Sequence, residues 1–188
     1  GELGAVLPPG AVVTDDAAIA ARSVDASFIP PDGAAIAVVA PTTTEEVAAV
    51  LRTAHRHGVP VVPQGGLTGL AGGASAVEGG ILLDLTRMDR VLRVDADDLV
   101  AVAQAGVVTE DLANAVAEHG LFYPPDPASW STSTIGGNVA TNAGGMRCVK
   151  YGVTRDWVRT LEVVLADGTV VHTRPGTVKA VAGLDLTS

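Results

Sequence analysis

The sequence predicts an α/β (α+β) fold, and three observations carry that prediction. Apolar residues make up 47% of the 188-residue chain while aromatics make up 3%, so the core is built from Ala, Val and Leu, as suits strands packed on helices. An apolar run, a capped amphipathic helix and a second apolar run follow one another between residues 35 and 62. Near the other end, a strand, Asp167-Gly168 and another strand read as a hairpin.

Taken in order, residues 1–34 read as a polar, proline-containing lead-in with a short helix at Asp15–Ala21. Ala35–Ala40 is an apolar strand ended by Pro41. Thr42-Thr43-Thr44-Glu45-Glu46-Val47 opens a helix, because hydroxyls cap free N–H groups and acidic residues favour the positive end of the dipole. That helix runs over Thr44–His57, buries Val47, Val50, Leu51 and Ala54 on one face, and stops at Gly58. Val59–Val62 is the next strand, and Ile81–Leu85 a buried one. Val91–Val94 and Leu99–Ala103 are strands joined by Asp95-Ala96-Asp97-Asp98. Thr109-Glu110-Asp111-Leu112 starts a second helix that reaches His119 and is closed by Gly120. Residues 124–151 read as a loop-rich stretch, and Leu161–Leu165 with Val170–His172 as the hairpin. The chain ends at Asp185-Leu186-Thr187-Ser188 without an evident final element.

Composition narrows function. A net charge of −9 argues against a general nucleic-acid binder, which needs clustered Lys and Arg. The single cysteine, Cys148, excludes an intrachain disulfide and multi-thiolate metal sites, and fits a reducing, cytoplasmic compartment. No run reaches the length of a membrane span, and the N-terminus has no signal-peptide pattern. The opening Gly1-Glu2, without Met, reads as a trimmed start.

Two glycine clusters carry the chemistry. Between Val61 and Ala74 five glycines fall within nine residues, 65 to 73, directly after an apolar run. Such backbone is entropically costly and is useful where the chain takes positive φ or approaches something closely. Successive N–H groups then converge as a nest for an anion, typically phosphate. The competing reading is a flexible surface loop, which the ordered flanking segments disfavour. The glycines at 65, 66, 69, 72 and 73 do not spell Gly-x-Gly-x-x-Gly, and no Gly-Lys-Ser or Gly-Lys-Thr occurs, so the dinucleotide fingerprint and the ATP P-loop are both excluded. Residues 133–145 hold four glycines, two asparagines and three hydroxyls. Alone, this cluster reads equally as a turn in an α/β corner or as backbone laid against a flat ligand. The pair suggests a diphosphate at one cluster and a ring system at the other.

Other candidates read more plainly. His55 and His57 lie about 200° apart on a helix and cannot share an ion, so they suit a solvated helix end. Asp95, Asp97 and Asp98 lack the spacing of a Ca²⁺ loop and suit a turn. His119 belongs to a last helical turn and His172 to an exposed strand end. Arg147 and Lys150 beside Cys148 allow a reactive thiol, though a structural one is the simpler reading. Arg155 and Asp156 are expected to pair. Trp130 covers a ligand ring or packs at the surface, and the sequence leaves both open.

Together these residues resemble the FAD-binding (PCMH-type) domain of the vanillyl-alcohol-oxidase superfamily. Within it they are most similar to the branch of glycolate oxidase flavin subunits, D-lactate dehydrogenases and D-2-hydroxyglutarate dehydrogenases. The match rests on Pro41–Val47, Pro63–Ala74, Pro125-Asp126-Pro127-Ala128 and Gly136-Gly137-Asn138 through Gly144-Gly145, extended by Tyr151-Gly152 and Leu161–Gly168 over most of residues 35–187.

The resemblance implies two small α/β subdomains with FAD between them, 35–105 and 106–188, the second incomplete. The first loop would bind the FAD diphosphate through main-chain N–H groups at Gln64, Gly65, Gly66, Leu67, Thr68, Gly69 and Leu70, with Ala74 nearby. Asp126, Pro127, Ser133, Thr134, Gly137, Thr141, Asn142, Ala143 and Gly144 would line the flavin and its ribityl chain. Some relatives attach FAD through a His in the first loop. Thr68 stands near that position and cannot form the bond, so the FAD is expected to be non-covalent.

Catalytic residues and metal ligands would lie in a C-terminal substrate domain outside this sequence, which stops at Leu184–Thr187, just before a Gly-Ser-Glu-Gly-Thr-Leu-Gly-like segment of relatives. The implied reaction oxidises a 2-hydroxy acid to a 2-oxo acid and passes electrons to an unnamed acceptor, with other subunits as possible partners and any membrane association made through them. The 188 residues alone are expected to show no turnover. Oxidation of a sugar alcohol or phenol by the same fold, or a non-catalytic subunit, are the alternatives.

Overall fold

The computed structural model describes residues 2–173; the expectations about residues 184–187 lie outside the described residues. A four-stranded sheet is the centre, with order β1-β2-β4-β3: β1 (Val12–Val13), β2 (Ala37–Val39), β3 (Val61–Gln64) and β4 (Ile81–Asp84). β4 runs parallel to both β2 and β3, with Leu82 opposite Val38 on one side and Val62 on the other. β1 is antiparallel to β2. Strands covered on both faces read as continuous apolar runs, which is why Ile81–Leu83 shows no alternation.

On one face, Ala37, Val39, Ile81 and Leu83 pack with Val47, Val50 and Ala54 of α3 (Thr44–His57), along with Leu7 after the short α1 (Leu3–Val6). On the other, Val38, Val62 and Leu82 pack with Ala35, Ala76 and Ile19 of α2 (Asp16–Ala21). The helix α3 keeps the bounds that its caps predict. Thr43 accepts from the N–H of Glu46 at the start, and Gly58, at φ 64°, closes the end in the left-handed region.

A separate core lies beyond the sheet. The hairpin β5 (Val91–Asp95) and β6 (Val100–Ala103) packs Val91, Val94, Ala101 and Ala103 against Val107, Leu112 and Val116 of α4 (Thr109–Ala117). Asp95 accepts from the N–H of Asp98, so the acidic cluster builds the turn. The second hairpin, β7 (Glu162–Val164) and β8 (Val170–His172), docks on α3: Arg52 donates to the carbonyl of Gly168 and Thr44 to Glu162. No helix among the described residues is long and apolar enough to cross a membrane.

Four expectations need correction. The strand expected at Val59–Val62 is shifted to Val61–Gln64, so Gln64 ends a strand instead of opening the loop. The second helix ends at Ala117 and not at His119. The loop-rich stretch 124–151 also holds two helices that were not expected, Ile135–Thr141 (α5) and Cys148–Tyr151 (α6). Gly136 and Gly137 hid α5; its ends are fixed by Thr134, whose hydroxyl accepts from the N–H of Gly137, and by Asn142 in the left-handed region at φ 48°. Finally, Arg155 and Asp156 do not pair. Asp156 accepts from the N–H of Val153, while the N–H of Arg155 donates to Asn142.

Candidate functional site

The two glycine clusters meet. The first leaves the carboxyl end of β3, where parallel sheets place ligands. Gly65 and Gly66 then lie against the Thr132–Thr134 segment that leads into α5. A Cβ on Gly65 would strike the Thr134 hydroxyl, and one on Gly66 would strike the carbonyl oxygen of Thr132. Glycine is required here by close approach rather than by flexibility.

Beyond Gly66 the chain turns at Leu67, whose φ of 57° is uncommon for a residue with a side chain. Strain of this kind persists where the surroundings enforce it, often at ligand sites. Among the described residues, none of the main-chain N–H groups of residues 66–71 donates to a protein acceptor. Consecutive unpartnered N–H groups beside a left-handed residue leave donors available to an outside acceptor, as the anion nest expected from the sequence would need. The side chain of Thr68 has no protein hydrogen bond either, and Leu70 is exposed.

The loop is held from behind by residues that the sequence reading missed. Arg22 donates to the Gln64 side chain (3.1 Å) and to the carbonyl of Gly65 (3.0 Å), and its guanidinium pairs with Asp84 at 3.0 Å. The N–H of Ala26 donates to the carbonyl of Leu67 at the loop tip. At the far end, Asp25 accepts from the N–H of Ala74 and faces that of Gly72. These contacts span 41 to 62 residues in sequence, so no local pattern announces them.

Burial works against the Asp25 carboxylate, but hydrogen bonds from Ser27, Ala74 and Gly72 outweigh it and hold its pKa below the ordinary 3.8. A depressed folded-state pKa stabilises the protein above the unfolded value, and that contribution disappears as the pH falls through the lowered one. The loop is therefore expected to loosen in acid below pH 3.8, with Asp25→Asn removing that part of the transition. Thermal melting of both proteins from pH 6 down to about pH 3 checks this, and superimposable pH profiles would count against it.

Several expected site residues spend their side chains on the scaffold. Gln64, almost fully buried, donates to the carbonyls of Arg22 and Ala74. Ser133 shares a hydroxyl contact of 3.0 Å with buried Thr109, and Thr134 caps α5. Asp126 accepts from the N–H of Arg147 and pairs with its guanidinium, while Pro127 is buried. Thr141 donates to the carbonyl of Gly137, and the carbonyl of Ala143 accepts from Thr154. At Gly144 a Cβ would make ordinary contact with Val153 and Cys148. Asn142 spends its amide oxygen on the N–H of Arg155.

The remaining candidates have partners of their own. His57 contacts Glu2 at 2.9 Å and His172 contacts Glu162 at 3.1 Å, both at the surface. Arg147 lies over the Phe122 ring and Lys150 donates to the Tyr151 hydroxyl. Trp130 is 38% exposed and anchored by its main chain, its carbonyl accepting from the N–H of Glu110.

Comparison with known proteins bears on what the nest receives. A family model described as FAD binding domain matches residues 35–174. Glycolate oxidase subunit GlcD of Bacillus subtilis (strain 168) is 50% identical over 151 residues, which are 80% of this chain and 32% of that protein. D-2-hydroxyglutarate dehydrogenase of Stutzerimonas stutzeri (strain A1501) is 39% identical over 187 residues, 98% of this chain and 40% of that protein. Among solved structures, an alkyldihydroxyacetonephosphate synthase superimposes with a TM-score of 0.87 at 26% identity, covering 99% of this chain and 35% of that one. The chain thus spans 32% to 40% of the length of these curated relatives.

Proposed function

The chain belongs to the FAD binding domain family, and on that premise we propose that it is the cofactor-holding part of a flavoprotein that oxidises a 2-hydroxy acid to a 2-oxo acid. The observation that carries the reading is the row of unpartnered N–H groups at residues 66–71, presented at a strand's carboxyl end and backed by the second glycine cluster. A diphosphate matches such a row, because it offers several anionic oxygens to converging donors. Gly65, Gly66, Leu67, Thr68, Gly69 and Leu70 would hold the diphosphate, next to Gln64 and Ala74. Asp126, Pro127, Ser133, Thr134, Gly137, Thr141, Asn142, Ala143 and Gly144 would shape the flavin side. When bound, FAD supplies the acceptor for the hydride equivalent leaving the substrate carbinol carbon. This chain's share is to orient the cofactor and to donate hydrogen bonds to its phosphates.

The substrate class comes from the relatives, whose names specify glycolate oxidase and D-2-hydroxyglutarate dehydrogenase. The acceptor and any further subunits belong to the same proposal, as does a cytoplasmic location, for which the single cysteine is the supporting feature.

Thr68 makes the cofactor dissociable. The purified protein mixed with FAD is expected to retain a flavin absorbance near ~450 nm through gel filtration, and acid precipitation is expected to leave all of the flavin in the supernatant. Flavin that stays with the precipitate would overturn the non-covalent reading. A protein that never takes up FAD would overturn the whole proposal.

A further inference from the structure

The segment 22–26 grips the nest at three points. Arg22 holds its start through Gln64 and the Gly65 carbonyl, Ala26 holds its tip through the Leu67 carbonyl, and Asp25 holds its end through the N–H groups of Gly72 and Ala74. The segment is itself pinned: the N–H of Ala76 donates to the carbonyl of Ser23, and the N–H of Asp25 donates to the Ser75 hydroxyl. Every one of these bonds uses a loop carbonyl, a side chain, or an N–H outside residues 66–71. The nest's own donors stay free while its shape is fixed. The family match begins at residue 35, after this segment.

We propose that Arg22 and Asp25 are positioning residues for the cofactor phosphates: they hold the loop in its receiving form before the ligand arrives. The proposal rests on the FAD reading above. Its physical basis is preorganisation, since a loop ordered in advance spares the ligand the cost of ordering it. Asp84 is part of the device, because it pairs with the guanidinium and sets the angle at which Arg22 reaches the loop. Lysine at position 22 would keep that charge pair but cannot fork to the Gln64 oxygen and the Gly65 carbonyl together.

The test uses the protein that carries this chain, measuring the FAD dissociation constant by flavin fluorescence and the melting temperature without flavin. Arg22→Lys is expected to keep a near-normal melting temperature and to weaken FAD by about tenfold or more, the size expected for losing a charge-assisted hydrogen bond. Arg22→Met should lose both properties. Asp25→Asn should weaken FAD by a similar factor. Val50→Ala, on the core face of α3, calibrates what general destabilisation does to affinity. Positioning is supported if Arg22→Lys and Asp25→Asn weaken FAD more than Val50→Ala does at an equal or smaller loss of melting temperature. Wild-type affinity in both variants, or a loss no greater than that of Val50→Ala, overturns the positioning role and leaves the FAD reading intact. Failure of the unmodified protein to take up FAD overturns the FAD reading, and the positioning role with it.

Discussion

Gly66→Ala is expected to cost about 2 kcal/mol of stability, or a melting temperature lower by about 4–8 °C, and to weaken FAD by at least about tenfold. The reason is geometric. The added methyl would overlap the carbonyl oxygen of Thr132, and that oxygen cannot swing away. The Thr132 N–H donates to the carbonyl of Ser129 at 2.8 Å, and the next N–H, of Ser133, donates to the same oxygen at 2.7 Å. The loop must therefore move, and its movement displaces the unpartnered N–H groups that begin at this residue. Gly73→Ala serves as the contrast. A Cβ there meets nothing within 4 Å, so near-normal melting and affinity are expected. Calorimetry and FAD titration of the two variants check the pair. Equal behaviour would show that the glycines are present for flexibility and not for close approach.

The same distinction explains how much could be seen in the sequence. Where a feature depends on neighbours in the chain, it was legible. The helix over Thr44–His57 has its hydroxyl cap, its acidic first turn and its closing Gly58 all within sixteen residues, and it kept its bounds. The Asp167-Gly168 hairpin is equally local. The family resemblance worked for a related reason, because four short motifs in a fixed order are a chain property. Features that depend on distant partners were not legible. β1 is two residues long, too short for any periodicity, and exists because β2 offers it an edge.

The helix α5 carries two glycines in its first three residues, so propensity argues against it. Tertiary contacts override that: the N–H of Gly136 donates to the carbonyl of Ala105, and Ala105 sits so close that a Cβ would not fit. Arg22 and Asp25 looked like ordinary lead-in polarity because their partners lie more than forty residues away. The site was legible as a pair of glycine clusters. That the two clusters touch, and that buried side chains serve as struts between them, follows only from the fold.

The strut with the largest expected effect is Thr109. Its side chain is fully buried, and its hydroxyl accepts from the Asn138 amide at 2.7 Å while contacting the carbonyl and hydroxyl of Ser133 at 3.0 Å. One hydroxyl thus ties α4 to both ends of the Ser133–Asn138 segment, on which Gly65 and Gly66 rest. Thr109→Val keeps the volume and removes the hydroxyl, so the Asn138 amide and the Ser133 hydroxyl, both almost fully buried, lose that partner. A buried polar group left unpaired costs about 1–3 kcal/mol, and two of them place the expected loss at about 3 kcal/mol, or a melting temperature lower by about 6–12 °C. Removing the stranded groups as well, in the combination Thr109→Val, Ser133→Ala and Asn138→Leu, should recover part of that loss, because an apolar set carries no unpaired donors. FAD affinity should not recover with it. The Ser133 carbonyl would keep the Thr109 N–H but lose the Thr109 hydroxyl, so the segment that Gly65 and Gly66 touch would be held less firmly and the nest would shift even in a stable protein. A triple variant that regained both melting temperature and affinity would show that packing volume alone positions the loop. Regained stability with persistently weak FAD binding would assign the positioning to the hydroxyl network itself.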